Sequence, residues 1–537
     1  MIRPLLMTFS LLLSFSAYGA EEESARCPSP DTRTPLCPTG SSMILDDTYP
    51  TSAVVISNQT AYKNNNSEKT TSTFIMEVIN AYKDNLENMP MIIVPCKDCF
   101  EKIREQLRSQ IKRSVNYRDN QIESILSKVR QSKTKSYTWQ QDYFESFYDR
   151  ATGRPVTRRF ASYNRNKGGY KQLTKTMGKL DCGIKSDRTL KSDPGSYGKS
   201  EYGGNIEGLP GGGCLFGNNV GNNFPKQFCP NPEDQVRVDV DFLHVGHVDE
   251  LFKITPGNKR PGVPKECNFT INYASPAKGI ELLEKSKDQI IYPKTPRGGK
   301  ERFAFLNNRL QKLCYIIKAS RHQDTPTNMH GHPVRNDESH ESRGVFFKLF
   351  DFVNSHAEDR HENKSPRPNS CYPDDVHKLS TKDFARGIKN IKPLYKLNMA
   401  IDKNIKKNLE KIKRNILKRL PQCEGKIDTL AVPDIYNCRK PKTNFTAEER
   451  NRKTLDRNGD CLSFFPSPTN GVFLNKTMIF SDSEVSPFKD YLKKEMKLRN
   501  NKAVFVPTYE YSHLMHGNLH CSSHTLPYCR PRTGKQK

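Results

Sequence analysis

Near the end of this 537-residue chain, one cysteine follows two histidines in His516-Gly517-Asn518-Leu519-His520-Cys521. A cysteine set among histidines can be held as a thiolate, the form that attacks carbon. The same residues also suit metal ligation by His516, His520 and Cys521, and Cys521 lies close enough to Cys529 for a disulfide. A second cluster, Leu243-His244-Val245-Gly246-His247-Val248-Asp249-Glu250, places His247 two residues from Asp249. In extended backbone both share one face, which sets a general acid/base beside a carboxylate. The third, Trp139-Gln140-Gln141-Asp142-Tyr143-Phe144-Glu145, holds the only tryptophan. If extended, it turns Gln141, Tyr143 and Glu145 one way and Asp142 the other, so one stretch can serve two adjacent sites. Taken alone, it also reads as a buried structural aspartate beside a packed tryptophan.

Five motifs stand in order along the chain: W-x-Q-D-x-x-E at Trp139 to Glu145, G-N-x-E at Gly204 to Glu207, V-G-H-V-D-E at Val245 to Glu250, F-F-P at Phe464 to Pro466 and H-G-x-x-H-C at His516 to Cys521. Together they resemble the catalytic domain of the peptidylarginine deiminases, calcium-dependent members of the guanidino-modifying superfamily. The resemblance runs from about Asn88 to Arg530, an insertion excepted. It implies an α/β fold, a pseudo-fivefold α/β propeller with the active site at its centre. It also implies an enzyme, a protein-arginine deiminase whose partners are arginine-containing proteins or peptides and whose products are peptidyl-citrulline and ammonia.

The residue chemistry agrees. A guanidinium is a delocalised cation whose N–H groups call for bidentate carboxylates, and Asp142 and Asp249 fit that role. Trp139 offers an aromatic wall for the cation and its stem. Cys521 would attack the guanidinium carbon, and His247 would protonate the departing ammonia and then activate water against the thiouronium. The resemblance further implies calcium, a hard cation that takes about six to eight oxygens. Gln141, Glu145 and Glu207 would supply side-chain oxygens, and Gly203 and Ile206 carbonyls. One ion is expected, because the family's second nearby site has acidic residues where this chain carries Tyr143 and Ala161. Arg165 and Lys167 match a pair that contacts the substrate backbone, and His516 a residue at the mouth of the pocket. Deiminases of free arginine or agmatine and amidinotransferases reuse the same Cys/His/Asp set; the calcium ligands argue for the peptidyl class.

The elements that must position these groups are partly visible. Ala53 to Ile56 is a short strand-like run within the N-terminal extension, Met91 to Pro95 reads as a buried strand, Glu101 to about Lys133 as helix with a basic face, and Phe269 to Tyr273 as another short strand. Val236 to Val248 alternates apolar and polar residues. Leu394 to Leu420 reads as a basic amphipathic helix whose stripe of Leu397, Ile401, Ile405, Leu409, Ile412, Ile416 and Leu420 suits core packing or an anionic membrane surface. Cys96-Lys97-Asp98-Cys99 has redox-motif spacing, but in an exported chain reads as structural. Residues 1–20 read as a cleavable signal peptide, 21–75 as an N-terminal extension and 76–532 as the deiminase-like domain, with a charged insertion at about 295–385 that holds seven of the 13 histidines. No later stretch is long and apolar enough for a transmembrane segment, so a secreted or periplasmic location is expected.

Composition sets the limits. Hydrophobic residues are 34% of the chain and mean hydropathy is −0.77, so some segments stay outside any core. Aromatics at 9% exclude wholesale disorder. The net charge of +27, from 86 Lys and Arg against 59 Asp and Glu, also suits polyanion or anionic-surface binding, the function of a competing non-catalytic reading. Fifteen cysteines point to an oxidising compartment and leave at least one unpaired; a nucleophilic Cys521 fits that remainder.

Overall fold

The computed structural model describes residues 26–58, 67–114, 117–134, 139–160, 167–182, 184–191, 193, 200–257, 259–287, 380–390, 392–439, 460–508, 512–513 and 517–532. The expected signal peptide and nearly all of the expected insertion lie outside this set. The chain is mixed α/β, built from six small sheets among the described residues.

Runs of β-branched and aromatic residues form strands buried on both faces, as parallel pairs flanked by helices require. Thr51–Ile56 (β1), Met91–Pro95 (β2) and Val129–Ser132 (β3) pair in parallel. Between them run helices Ser67–Ala81 (α1), Phe100–Ser114 (α2) and Asp119–Ser127 (α3). The helix expected over 101–133 is thus two helices and a strand. Val129 turns inward onto the sheet and the basic residues of α2 stay outside.

Four three-stranded sheets repeat a single pattern. A first strand pairs antiparallel with a middle strand, the chain crosses over, and a third strand pairs parallel with the middle one. Phe144–Tyr148 (β4), Pro155–Phe160 (β5) and Ile184–Leu190 (β6) do so around helix Lys167–Lys179. Ile206–Leu209 (β7), Gly213–Gly217 (β8) and Gln235–Val238 (β9) follow, then Phe252–Pro256 (β10), Phe269–Ser275 (β11) and Asp428–Pro433 (β12). A hairpin, Tyr436–Arg439 (β13) with Asp460–Ser463 (β14), precedes Val472–Leu474 (β15), Thr477–Ser481 (β16) and Lys502–Val506 (β17). The fifth copy is made from the two ends of the chain, since Ser523–Pro527 (β18) pairs antiparallel with β1, which pairs parallel with β2.

The expected N-terminal extension is therefore woven into the fold. β1 is the middle strand of the fifth sheet, and α1 crosses the expected boundary at 75–76. Disulfides Cys27–Cys182 and Cys37–Cys529 fasten the preceding residues to the body. The amphipathic helix is observed at Lys392–Arg419. Its Ile401, Ile405, Leu409, Ile412 and Ile416 join the core of β9 to β11, so the apolar stripe is spent on packing. No helix among the described residues is long and apolar enough to cross a membrane.

Candidate active site

Each of the five three-strand modules delivers a residue to one place. Asp142, Gly204, Glu250, Asn470 and Cys521 each stand two positions before the first strand of their module, β4, β7, β10, β15 and β18 respectively. The residues entering the first strands therefore converge, and Gln141 N–H donates to the Cys521 carbonyl at 3.3 Å across two of these junctions.

Cys521 is buried and is the free cysteine among the described residues. Cys529, its expected alternative partner, is bonded to Cys37, and Cys96 pairs with Cys99. The sulfur lies 3.6 Å from Asp249 Oδ2 and 3.2 Å from Asn470 Nδ2. Burial, followed by the Asp249 and Asp142 charges, pushes the thiol well above its ordinary range, so it rests protonated. Asp249 has no solvent exposure. Burial alone would raise its carboxyl, but the hydrogen bond from His520 together with the electrostatic influence of His520, His247 and Lys253 outweighs it and holds Asp249 below the ordinary carboxylate range. Its Oδ1 has no hydrogen-bond partner in the structure.

His247 caps the short 3-10 turn Val248–Glu250, with its backbone N–H on Glu250 Oε1 at 3.1 Å. The condition of extended backbone, on which the shared face was argued, is thus not met over 248–250. His247 and Asp249 still share a side because both flank Gly204. A Cβ there would lie 2.7 Å from His247 Nδ1, 3.2 Å from Asp249 Oδ2 and 3.4 Å from Asp142 Oδ1. His247 Nδ1 is 3.6 Å from Asp142 Oδ1. Asn205 Oδ1 accepts from Val248 N and pins the turn. Gln140–Tyr143 is likewise one helical turn, and Asp142 faces His247 from its end. Trp139 is half-buried, its six-membered ring packed where Gly517 lacks a side chain. Arg165 and His516 lie outside the described residues; Lys167 opens its helix, with its side chain outside them too.

The residues expected to bind calcium are engaged with one another. His524 Nδ1 meets Gln141 Oε1 at 2.7 Å. Gln141 Nε2 donates to Glu145 Oε2 at 3.2 Å and Ser146 N–H to Glu145 Oε1 at 2.6 Å. Gly203 lies against the Gln141 carbonyl and Glu145, and its own carbonyl accepts from Ile206 N–H. Burial raises the Glu145 carboxyl well above its usual range and lowers His524 well below its own. Glu207 Oε1 faces Lys253 Nζ at 3.4 Å. Among the described residues no group of three or more His, Cys, Asp or Glu is arranged to hold a metal.

Lys253, Asp47, His520 and Asn470 carry much of this geometry without having been assigned roles from the motifs. Lys253 Nζ contacts Asp47, Glu207 and His520 Nε2, the last at 2.8 Å. Burial by itself would lower its ammonium, but Asp47 and Glu207 prevail and hold it protonated. An ammonium only donates, so His520 Nε2 accepts and its Nδ1–H points to Asp249 Oδ2 at 2.8 Å. The available signal was position, since Lys253 is a charged residue inside the apolar strand that follows the motif.

No family model and no curated protein matches the chain. Among solved structures, it is similar to the agmatine deiminase of C. jejuni at 11% identity and a TM-score of 0.38, over 91% of this chain and 96% of that one. The agmatine deiminase of Enterococcus faecalis gives 11% and 0.38 over 91% and 96%. A protein provisionally named peptidyl-arginine deiminase gives 11% and 0.39 over 91% and 99%. Scores this low carry neither fold nor activity across.

Proposed function

We propose that this protein is a guanidino-group hydrolase that converts arginine residues of proteins or peptides to citrulline. The observation that carries the reading is a buried free thiol 3.6 Å from a buried carboxylate whose other oxygen is unpartnered. A thiol protease needs no such carboxylate; a cationic substrate does, because its N–H groups satisfy Asp249 Oδ1 and its charge offsets Asp142 and Asp249. Five modules of one pairing pattern, closed by the pairing of β18 with β1, support a pseudo-fivefold propeller with this cluster at its centre.

Binding places the guanidinium between Asp142 and Asp249, against Trp139. Its positive charge removes the penalty on ionising Cys521, whose thiol proton passes to His247 as substrate arrives. The sulfur adds to the guanidinium carbon, and one C–N bond breaks as His247 gives a proton to leaving ammonia. His247 then takes a proton from water, which adds to the thiouronium carbon; the C–S bond breaks, releasing the ureido product and the thiol. Asn470 faces the sulfur throughout. The six disulfides among the described residues support export to an oxidising compartment.

Ureido product measured from an arginine-containing peptide, free arginine and agmatine tests the reading. The peptide is the expected best substrate, and Cys521→Ser abolishes turnover. Preference for agmatine or free arginine moves the protein to the small-molecule deiminases. No product from any of the three overturns the hydrolase reading and returns attention to the basic, polyanion-binding alternative.

A further inference from the structure

Lys253 is a lysine with about 2% of its surface exposed, set in the second position of β10 and three residues beyond the candidate active-site turn. Its three N–H donors have three acceptors: an oxygen of Asp47, Glu207 Oε1 at 3.4 Å and His520 Nε2 at 2.8 Å. Its backbone is fixed as well, since it pairs with Asn272 across the sheet and its carbonyl accepts from Asn272 Nδ2 at 3.0 Å. We propose that the Lys253 ammonium is the permanent counter-cation of the acidic cluster beside the active site, standing where the motif resemblance puts calcium, so that the protein acts without calcium.

Three features carry this. First, the cation already has its anions: Glu207 would have to abandon Lys253 to bind a metal, and Asp47 comes from the N-terminal residues that the fold draws into the body. Second, a divalent ion near Glu207 would lie beside a buried fixed positive charge, where repulsion is poorly screened. Lys253 has no exposed route along which to swing away. Third, the two remaining side-chain ligands expected for calcium are engaged in hydrogen bonds, Gln141 with His524 and Glu145, and Glu145 also with the Ser146 N–H. Removing a cation from such a cluster costs its geometry, which is what makes a bound ion a switch; a cation on the polypeptide cannot dissociate.

The charge reaches the chemistry through one ring. Lys253 donates to His520, His520 donates to Asp249, and Asp249 lies 3.6 Å from Cys521 Sγ. Lys253 is thus a positioning residue that sets the tautomer of His520 and the orientation of Asp249. Its catalytic consequence rests on the hydrolase reading; its cation-binding consequence does not.

The test measures thermal unfolding and direct calcium binding by calorimetry on the whole mature protein, in EGTA and in about 1 mM calcium, which saturates sites of sensor affinity. Peptide deimination is followed in parallel. Wild type is expected to bind no calcium at this site, to melt at the same temperature in both buffers, and to turn over equally in both. Lys253→Met, which keeps the bulk and removes the charge, is expected to lower kcat by about 10- to 100-fold, the range for lost outer-shell partners. It is also expected to gain a calcium-dependent rise in melting temperature. Lys253→Arg keeps the charge and should remain indifferent to calcium, which preserves the test if the Met variant does not fold. Calcium binding by wild type that disappears in Glu207→Gln overturns the proposal, whether or not turnover is detected. So does a folded Lys253→Met that matches wild type in kcat and calcium response. Absence of turnover with an unchanged calcium response overturns the hydrolase reading alone.

Discussion

Asn470 grips Cys521 at two points: its Nδ2 lies 3.2 Å from the sulfur and its Oδ1 accepts from the Cys521 backbone N–H at 3.2 Å. The same Nδ2 reaches the Asp249 carbonyl at 3.4 Å. One amide therefore fixes the nucleophile's backbone, offers the sulfur a donor and ties both to the turn that carries Asp249. A donor aimed at sulfur favours the thiolate over the thiol, so its value appears when charge develops. Asn470→Ala should lower kcat by about 100-fold with little change in KM. Asn470→Asp should be worse, because it sets a further carboxylate beside a thiol already held protonated. A kcat in Asn470→Ala equal to that of wild type would show that the amide serves structure alone.

The protonated resting state of Cys521 makes its reactivity depend on both pH and ligand. Burial and the Asp249 and Asp142 charges raise the thiol well above its ordinary value. Alkylation by iodoacetamide at neutral pH should be slow, accelerate as pH rises, and accelerate at fixed pH when a small guanidinium compound occupies the carboxylates without covering the sulfur. The sign for stability follows from linkage. The folded state keeps this proton more tightly than the unfolded state, so the contribution is full below about pH 8.5 and is lost as pH rises toward the folded value. Cys521→Ser should flatten that alkaline decline in melting temperature; an unchanged decline would place its source elsewhere.

What was legible in the sequence was a set of candidate residues, carried by residue types that strands do not otherwise favour. His247, Asp249, Asp142 and Cys521 were recognisable because polar and nucleophilic groups interrupt apolar runs, and the structure brings them around Gly204, Asn470 and Trp139. What was hidden depended on register between distant segments. Asp47 looked like part of a polar extension, yet the pairing of β1 with β18 brings it to Lys253. Lys253 has no role in the sequence motifs, and its ion partners Asp47 and Glu207 are what accommodate its charge in the interior. The two turns at 140–143 and 248–250, considered in the sequence only on the condition of extended backbone, are single helical turns placed where a first strand begins. Such turns are too short to show a 3.6-residue period. The position two residues before each first strand is a pattern within the sequence, but it becomes visible only after the five sheets are aligned.

Glu145 offers a measurement that separates a neutral hydrogen-bonded carboxyl from a metal ligand. It is buried, accepts from Ser146 N–H and Gln141 Nε2, and is raised well above the usual carboxylate range by burial. A group raised in the folded state stabilises fully below its unfolded value of about 4.3, and that contribution is lost as pH climbs through the folded value. Glu145→Gln keeps one of the two acceptor oxygens and does not titrate. The variant should therefore gain on wild type by ~1.4 kcal/mol per pH unit from about pH 4.3 until the folded-state carboxyl ionises. Chemical denaturation of both proteins from acid to neutral pH reads this directly. A wild type that instead gains on the variant with rising pH, more so with calcium, would mean that Glu145 is an ionised ligand.

Gly204 tests whether the three acidic and basic groups around it must be mutually adjacent. Its missing side chain is what lets His247, Asp249 and Asp142 close on one point, and a Cβ would intrude to 2.7 Å from His247 Nδ1. The imidazole is buried at 1% exposure and Asp249 at 0%, so neither has room to yield. Overpacking of this kind costs about 1–3 kcal/mol, which the fold can absorb, while displacement of the acid/base by a fraction of an ångström falls on the reaction. Gly204→Ala should therefore melt only a few degrees below wild type yet lose roughly 100-fold or more in kcat/KM. Gly178→Ala, where a Cβ meets nothing within 4 Å, is the matched control and should leave turnover unchanged. Equal activity in the two variants would show that Gly204 does not set the approach of His247 to the carboxylates.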